Sequence, residues 1–189
     1  MSLATAPTDA PADAPGIEIG HVLAHPVHGP VRITALRTRT VRGAEQRYVD
    51  LEVIGDQMQI SVPAGGRDVV GLRPLLDRAE VQELLEKLEA PLEVATKKVT
   101  WAHRMKTLQG LSQTGRVTDR IEIIRKIVGD SGAVPSSLAE RTMLREATAP
   151  LSAEFAITLE LSRDAAHDLL MDTVERAVER AEAAGAKAA

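Results

Sequence analysis

The chain has 189 residues, of which 44% are hydrophobic and 26% charged, and it carries a net charge of −4. This composition is that of a soluble globular protein with room for one ordinary domain or two small ones, and its acidity argues against indiscriminate coating of nucleic acid. Because there is no cysteine, disulfides, thiolate metal sites and a cysteine nucleophile are excluded.

Residues 1–15 are rich in Ala, Pro, Thr and Asp, and they lack the basic and apolar regions of a signal peptide. We therefore expect a disordered tail. No apolar run in the sequence approaches the roughly 20 residues that a membrane-spanning helix needs. A cytoplasmic protein without a membrane partner is the expectation.

Residues 16–74 show the alternation of apolar and polar residues that is typical of β-strands. The pattern is imperfect over 31–36 and strict over 48–53, where Tyr48, Asp50 and Glu52 share one face, and it returns over 58–62. Glycine-containing turn signals separate these runs, at His28-Gly29-Pro30, Arg42-Gly43-Ala44 and Gly55-Asp56. About five short strands at this spacing predict a small, strongly bent antiparallel β-barrel.

Residues 75–184 change to a helical period, so the fold class is α+β, with an all-helical C-terminal domain. The first helix carries Val81, Leu84, Leu85 and Leu88 on one face and ends before Pro91. We predict further helices over 101–111 with Thr100 as N-cap, over 117–128, from a Ser137/Glu140 capping box through Glu146, and over 162–184. Pro150 should end or kink the fourth helix, and 185–189 form a second disordered tail.

Neither a catalytic site nor a metal site emerges from the residue patterns. His21, His25 and His28 lie on a strand and turn, without the fixed set of ligands that zinc requires, so they are interpreted as surface or turn residues. The Gly-rich stretch 64–67 lacks the Lys-Ser/Thr of a phosphate-binding loop. We expect no enzyme activity, no cofactor and no small-molecule substrate.

Trp101 is conspicuous because Tyr48 and Phe155 are the only other aromatic residues in the chain besides histidine. It stands in a basic segment, 96–126, with eight basic residues against two acidic ones, whereas 127–189 have six basic and eleven acidic ones. Two interpretations follow: Trp101 packs over the helical core, or it works as a wedge against DNA bases while basic neighbours attract phosphates.

Several motifs in order resemble the CarD family of bacterial RNA polymerase-binding regulators. They are Gly16 through the His25-Pro26-Val27-His28-Gly29 element, Thr38-Arg39-Thr40-Val41-Arg42-Gly43, Val62-Pro63, 69–73 and Trp101-x-x-Arg104-x-Lys106. The resemblance is good from Gly16 to about Lys106 and loose over the later helices.

This resemblance implies a Tudor-like N-terminal barrel, residues 16–74, that binds the polymerase β subunit, with Arg39 in the interface. The helical domain would contact promoter DNA at the upstream fork of the bubble, where Trp101 inserts into the minor groove and modulates open-complex stability. Arg104 and Lys106 would contact the backbone, and the other DNA-binding candidates in the basic segment are His103, Lys97 and Lys98.

Departures from the family pattern point to a divergent paralogue: Pro150 and the Gly129-Asp130-Ser131-Gly132 break differ from the usual helices, and three others are single-residue replacements. Ser61 replaces a second interface arginine, His25 replaces a tyrosine, and His103 stands where relatives often have arginine, which lowers the positive charge near neutral pH. The alternative function is a protein-interaction adaptor that binds polymerase or another partner through the β domain without touching DNA.

Overall fold

The computed structural model describes residues 18–64, 71–92, 100–131, 135 and 137–188, so the predicted tail 1–15 and the lysines Lys97 and Lys98 lie outside the described residues. A curved antiparallel four-stranded sheet, a half-barrel, is followed by five helices in the described ranges. The predicted α+β class with a Tudor-like β domain and a helical domain is confirmed.

The sheet has the strand order β1-β2-β3-β4 and is antiparallel throughout. Its strands are β1 (Val22–His25), β2 (Gly29–Val41), β3 (Ala44–Val53) and β4 (Gln59–Pro63). In place of the fifth strand that the spacing suggested, the described residues show an isolated bridge between Ala24 and Arg73. Arg42 and Gly43 form the β2–β3 turn at φ of 52° and 82°, the positive values at both positions that a type I′ two-residue hairpin requires.

A β-bulge at Thr34 explains the imperfect alternation of β2. Ile33 pairs with Leu51, but Ala35 pairs with Asp50, so Thr34 is one extra residue in the strand. The Thr34 hydroxyl donates to the backbone carbonyl of Asp50 at 3.1 Å. Since side chains alternate in a strand, this extra residue exchanges the faces of all later β2 residues.

The helices are α1 (Arg78–Glu89), α2 (Trp101–Thr114), α3 (Val117–Ser131), α4 (Leu138–Leu159) and α5 (Arg163–Ala188). They enclose an aliphatic core in which Phe155 is fully buried. Val81, Leu84 and Leu88 of α1 face it, as their spacing predicted. None of the helices, as far as the chain is described, is both long and apolar enough to cross a membrane.

Four predicted helix ends were too early; among them, helix α3, predicted to end at residue 128, continues to Ser131. Helix α2 continues past Gly110 and stops at Gly115, whose left-handed φ of 67° ends the helix without the cost of a Cβ. Helix α4 does not end near Glu146 but runs through Pro150 to Leu159. Helix α5 continues to Ala188, so the backbone of 185–188 is helical, in line with the high helix propensity of its alanine-rich end.

Helix α4 tolerates Pro150 because a distant arginine satisfies the carbonyl that the proline leaves without its helical donor. Proline has no N–H, so the carbonyl of Glu146 one turn earlier loses its usual partner. Nη1 of Arg120, from α3, donates to that carbonyl at 2.8 Å, and its Nη2 donates to the carbonyl of Pro26 in the β1–β2 turn. The same guanidinium therefore supports α4 and joins the helical domain to the sheet.

A buried carboxylate fixes the connection between the two domains. Glu154 of α4 is 2% exposed and accepts from Nη1 and Nη2 of Arg73 at 2.6 and 2.7 Å. The backbone N–H of Leu76 donates to the same carboxylate at 2.7 Å. Three charge-assisted bonds thus hold the segment that leaves the sheet against the core helix.

Candidate functional sites

Trp101 lies at the first position of α2, on the surface of the helical domain. The Thr100 hydroxyl accepts from the backbone N–H of His103 at 3.4 Å, so the predicted N-cap is confirmed and fixes where the helix begins. The Trp101 side chain is 56% exposed, whereas Phe155 occupies the core. Phe155, and not Trp101, is therefore the large aromatic residue of the helical core, and more than half of the Trp101 side chain faces solvent.

Arg104, one turn after Trp101, turns inward. Its Nη2 pairs with the carboxylate of Glu140, which is almost fully buried at the start of α4. Glu140 was expected to close a capping box with Ser137, yet Ser137 occupies the N-cap position without a side-chain hydrogen bond. The capping-box prediction was wrong because the guanidinium of Arg104 draws the carboxylate away, and this ion pair joins the first turn of α2 to α4.

His103 and Lys106 lie on the solvent side of α2, while Met105 and Leu108 face the core. The first turn of α2 carries no acidic residue, so the positive end of the helix dipole is not neutralised by its own side chains. The exposed surface at the start of α2 thus carries an indole ring, a histidine, a lysine and a helix N-terminus, but His103 and Lys106 follow Trp101 by two and five residues and therefore lie on a different side of the helix from the ring. This arrangement suits an anionic partner that also offers flat apolar surfaces.

The outer face of the sheet brings Arg39 and Ser61 together through Asp50. The Ser61 hydroxyl donates to Oδ1 of Asp50 at 2.6 Å, and Nη2 of Arg39 lies 3.9 Å from the same oxygen. The guanidinium of Arg39 also stacks over Tyr48, 5.1 Å from the ring centroid, and Nε of Arg37 pairs with Asp50 at 2.7 Å. Asp50 and Arg37 were not among the predicted site residues, although the strict alternation of β3 had placed Asp50 on this face.

An interdomain cleft of about 800 Å³ lies between the β1–β2 turn, α2 and α4. His25 lines it, and burial, His28 and Arg120 lower the pKa of His25 to about 4. Nδ1 of His25 accepts the backbone N–H groups of Val27 and His28 at 3.1 and 3.3 Å, so a neutral imidazole shapes this turn. Within the described ranges no group of three or more His, Asp or Glu residues could hold a metal ion.

Comparison with protein-family models gives two matches that cover most of the chain. Residues 17–76 match the model described as CarD-like/TRCF RID domain. Residues 83–171 match the model described as CarD, C-terminal domain. The two matched ranges follow the same order as the sheet and the helices.

Proposed function

The chain belongs to the CarD family of transcription-associated, RNA polymerase-interacting proteins, and from this we propose that it binds the polymerase β subunit and promoter DNA at the upstream fork of the bubble. CarD-like families are non-enzymatic polymerase-binding regulators. In this proposal the sheet anchors the protein to the polymerase, and α2 presents Trp101 to the DNA. The effect is a changed stability of the open complex.

The exposure of Trp101 is the observation that carries the DNA contact. A tryptophan side chain can bury about 200 Å², and at about 25 cal/mol per Å² an indole left 56% exposed forgoes about 2 to 3 kcal/mol of stabilisation. The chain could have recovered that free energy by using its largest side chain in the core. A ring left in solvent at a helix start is available to stack on a base that the bubble has unpaired.

Lys106 and His103 supply the phosphate contacts in this proposal, and Lys97 and Lys98 extend the same basic segment. Arg104 takes a different part from the one that its sequence position suggested. Because its guanidinium is engaged with buried Glu140, we assign it to holding the first turn of α2, and therefore Trp101, at a fixed angle. The phosphate contact that the family resemblance implies for Arg104 is the alternative to this assignment.

Arg39 supplies the polymerase contact. Its guanidinium is half exposed, and both Tyr48 and Asp50 restrain it, so less side-chain entropy is lost when it meets a carboxylate on the partner. If Arg39→Glu binds an isolated β lobe as well as the wild type does, the interface lies elsewhere.

Open-complex lifetime on purified polymerase tests the proposal as a whole. We expect Trp101→Ala to shift the lifetime toward that of polymerase alone while polymerase binding stays intact. Leu161→Ala, which removes another exposed apolar side chain of the helical domain, should leave the lifetime unchanged. An unchanged lifetime with Trp101→Ala, with polymerase still bound, would favour the adaptor that binds through the β domain without DNA contact.

A further inference from the structure

Asp50 is the centre of a side-chain network that spans three strands. Its carboxylate pairs with Nε of Arg37 from β2 at 2.7 Å and accepts a hydrogen bond from the hydroxyl of Ser61 from β4 at 2.6 Å. Nη2 of Arg39 lies 3.9 Å from the same carboxylate. The Asp50 side chain is 16% exposed, whereas that of Arg37 is 63% exposed. The carboxylate thus lies beneath the two guanidinium groups, which reach past it into solvent.

The bulge at Thr34 creates this arrangement. Without the extra residue, Arg37 and Arg39 would share the face of Ile33, which is fully buried in the sheet core. With it, Arg37 pairs across the strands with Tyr48, and both arginines lie on the face that carries Asp50. The bulge therefore places two arginines close together on the outer face of the sheet.

We propose that Arg37 is a second polymerase-contacting cation of this chain and that Asp50, oriented by Ser61, holds it in place. The inference rests on the proposed function, because it deepens the contact assigned to Arg39. Two arginines around one carboxylate leave a net positive charge, and guanidinium groups bind carboxylates in a planar, two-point geometry. The fitting partner is an acidic patch with at least two carboxylates on the polymerase.

Ser61 has a structural role in this network. A serine cannot supply the charge of the second interface arginine that the family resemblance implies for position 61, but its hydroxyl donates to Asp50. Asp50 and Ser61 are direct cross-strand partners, and Arg37 reaches the same carboxylate from the opposite strand. In this chain the cation paired with Asp50 therefore comes from β2 while β4 supplies a hydroxyl, and Ser61 acts as a positioning residue.

Affinity of the full-length chain for purified RNA polymerase tests the assignment. We expect Arg37→Ala and Arg39→Ala each to weaken binding at least about tenfold, the size of one lost charge-assisted pair. Arg47→Ala is the matched control, because Arg47 is an exposed arginine of β3 that alternates onto the other face and pairs with Thr38. It should leave affinity unchanged, and all three variants should keep the wild-type melting temperature.

The arginine variants distinguish failure of the Arg37 assignment from failure of the proposed function. If Arg39→Ala weakens binding but Arg37→Ala behaves like the Arg47 control, the second cation is overturned while the proposed function stands. When neither Arg39→Ala nor Arg37→Ala weakens binding, the polymerase contact of the proposed function fails as well.

A compensating substitution tests the role of Asp50. Adding Ser61→Arg to Arg37→Ala returns a cation to the other side of the same carboxylate. We expect this double variant to regain affinity to within about threefold of the wild type, a difference below one lost hydrogen bond. Affinity that stays at the level of Arg37→Ala would overturn the claim that the two positions serve one contact.

Discussion

Replacing Glu154 by glutamine removes the charge from the carboxylate that joins the sheet to the helices while keeping the size of the side chain. The amide nitrogen would face one of two guanidinium N–H groups of Arg73, which now lie 2.6 and 2.7 Å from the two oxygens. Breaking a buried pair by removing one partner costs about 3 to 5 kcal/mol. Because Arg73 is 35% exposed and can regain water, we expect about 3 kcal/mol, the lower end of that range.

A loss of about 3 kcal/mol is large against a total stability of about 5 to 15 kcal/mol, and it lowers the melting temperature by about 6 to 12 °C in a chain of this size. Urea unfolding followed by circular dichroism measures it. Glu160→Gln is the matched control, since Glu160 forms an ion pair with Arg78 at 2.9 Å but is 83% exposed. That surface pair should contribute less than about 1 kcal/mol. Equal unfolding midpoints for the two variants would refute the reasoning.

Three further predictions test the turn, the helix ends and the basic segment. Because the pKa of His25 is lowered from 6.5 to about 4, the unfolded chain takes up the proton first, and stability should fall as the pH drops from about 6.5 to 4. His25→Asn keeps a hydrogen-bond acceptor but cannot take up a proton, so its urea unfolding midpoint should fall less between pH 6.5 and 4 than that of the wild type. An equally steep fall would show that His25 does not cause the loss of stability. Gly110→Ala should stabilise the fold by about 1 kcal/mol, because Gly110 lies inside α2 with open space around it. Gly115→Ala should destabilise the fold by about 2 kcal/mol or more, because Gly115 has a φ of 67° and an added Cβ would lie 2.5 Å from Cβ of Pro26 in the β1–β2 turn. Calorimetry checks the opposite signs. For promoter complexes, Lys106→Gln should make the fall of log affinity with log salt concentration less steep by about one. Arg104→Gln should weaken binding without changing that slope. A less steep slope for Arg104→Gln would show that Arg104 contacts a phosphate.

Local patterns predicted the elements because each element depends on near neighbours in the sequence. The strict alternation over β3 and the heptad-like spacing in α1 are properties of a few consecutive residues. Thr100 could be recognised as a cap for the same reason. The bulge at Thr34 left a trace as imperfect alternation, but pairing with β3 was needed to locate the extra residue.

What the sequence could not predict depends on groups far apart in the chain. The guanidinium of Arg120 satisfies the carbonyl freed by Pro150, so a residue in another helix decides whether α4 continues. Glu140 fits a capping box by spacing, and its pairing with Arg104 arises only when α2 packs on α4. The exposure of Trp101 is of the same kind, because the occupant of the core, Phe155, could not be chosen from composition.

The position of residue 101 in the open complex tests the central claim most directly. A photoreactive phenylalanine derivative placed at position 101 can be cross-linked in complexes of the full-length chain, polymerase and promoter DNA. The proposed function predicts cross-links to DNA at the upstream edge of the bubble, and their loss when Arg39→Glu removes the polymerase anchor. Cross-links to polymerase subunits alone, or to DNA independently of polymerase, would contradict it.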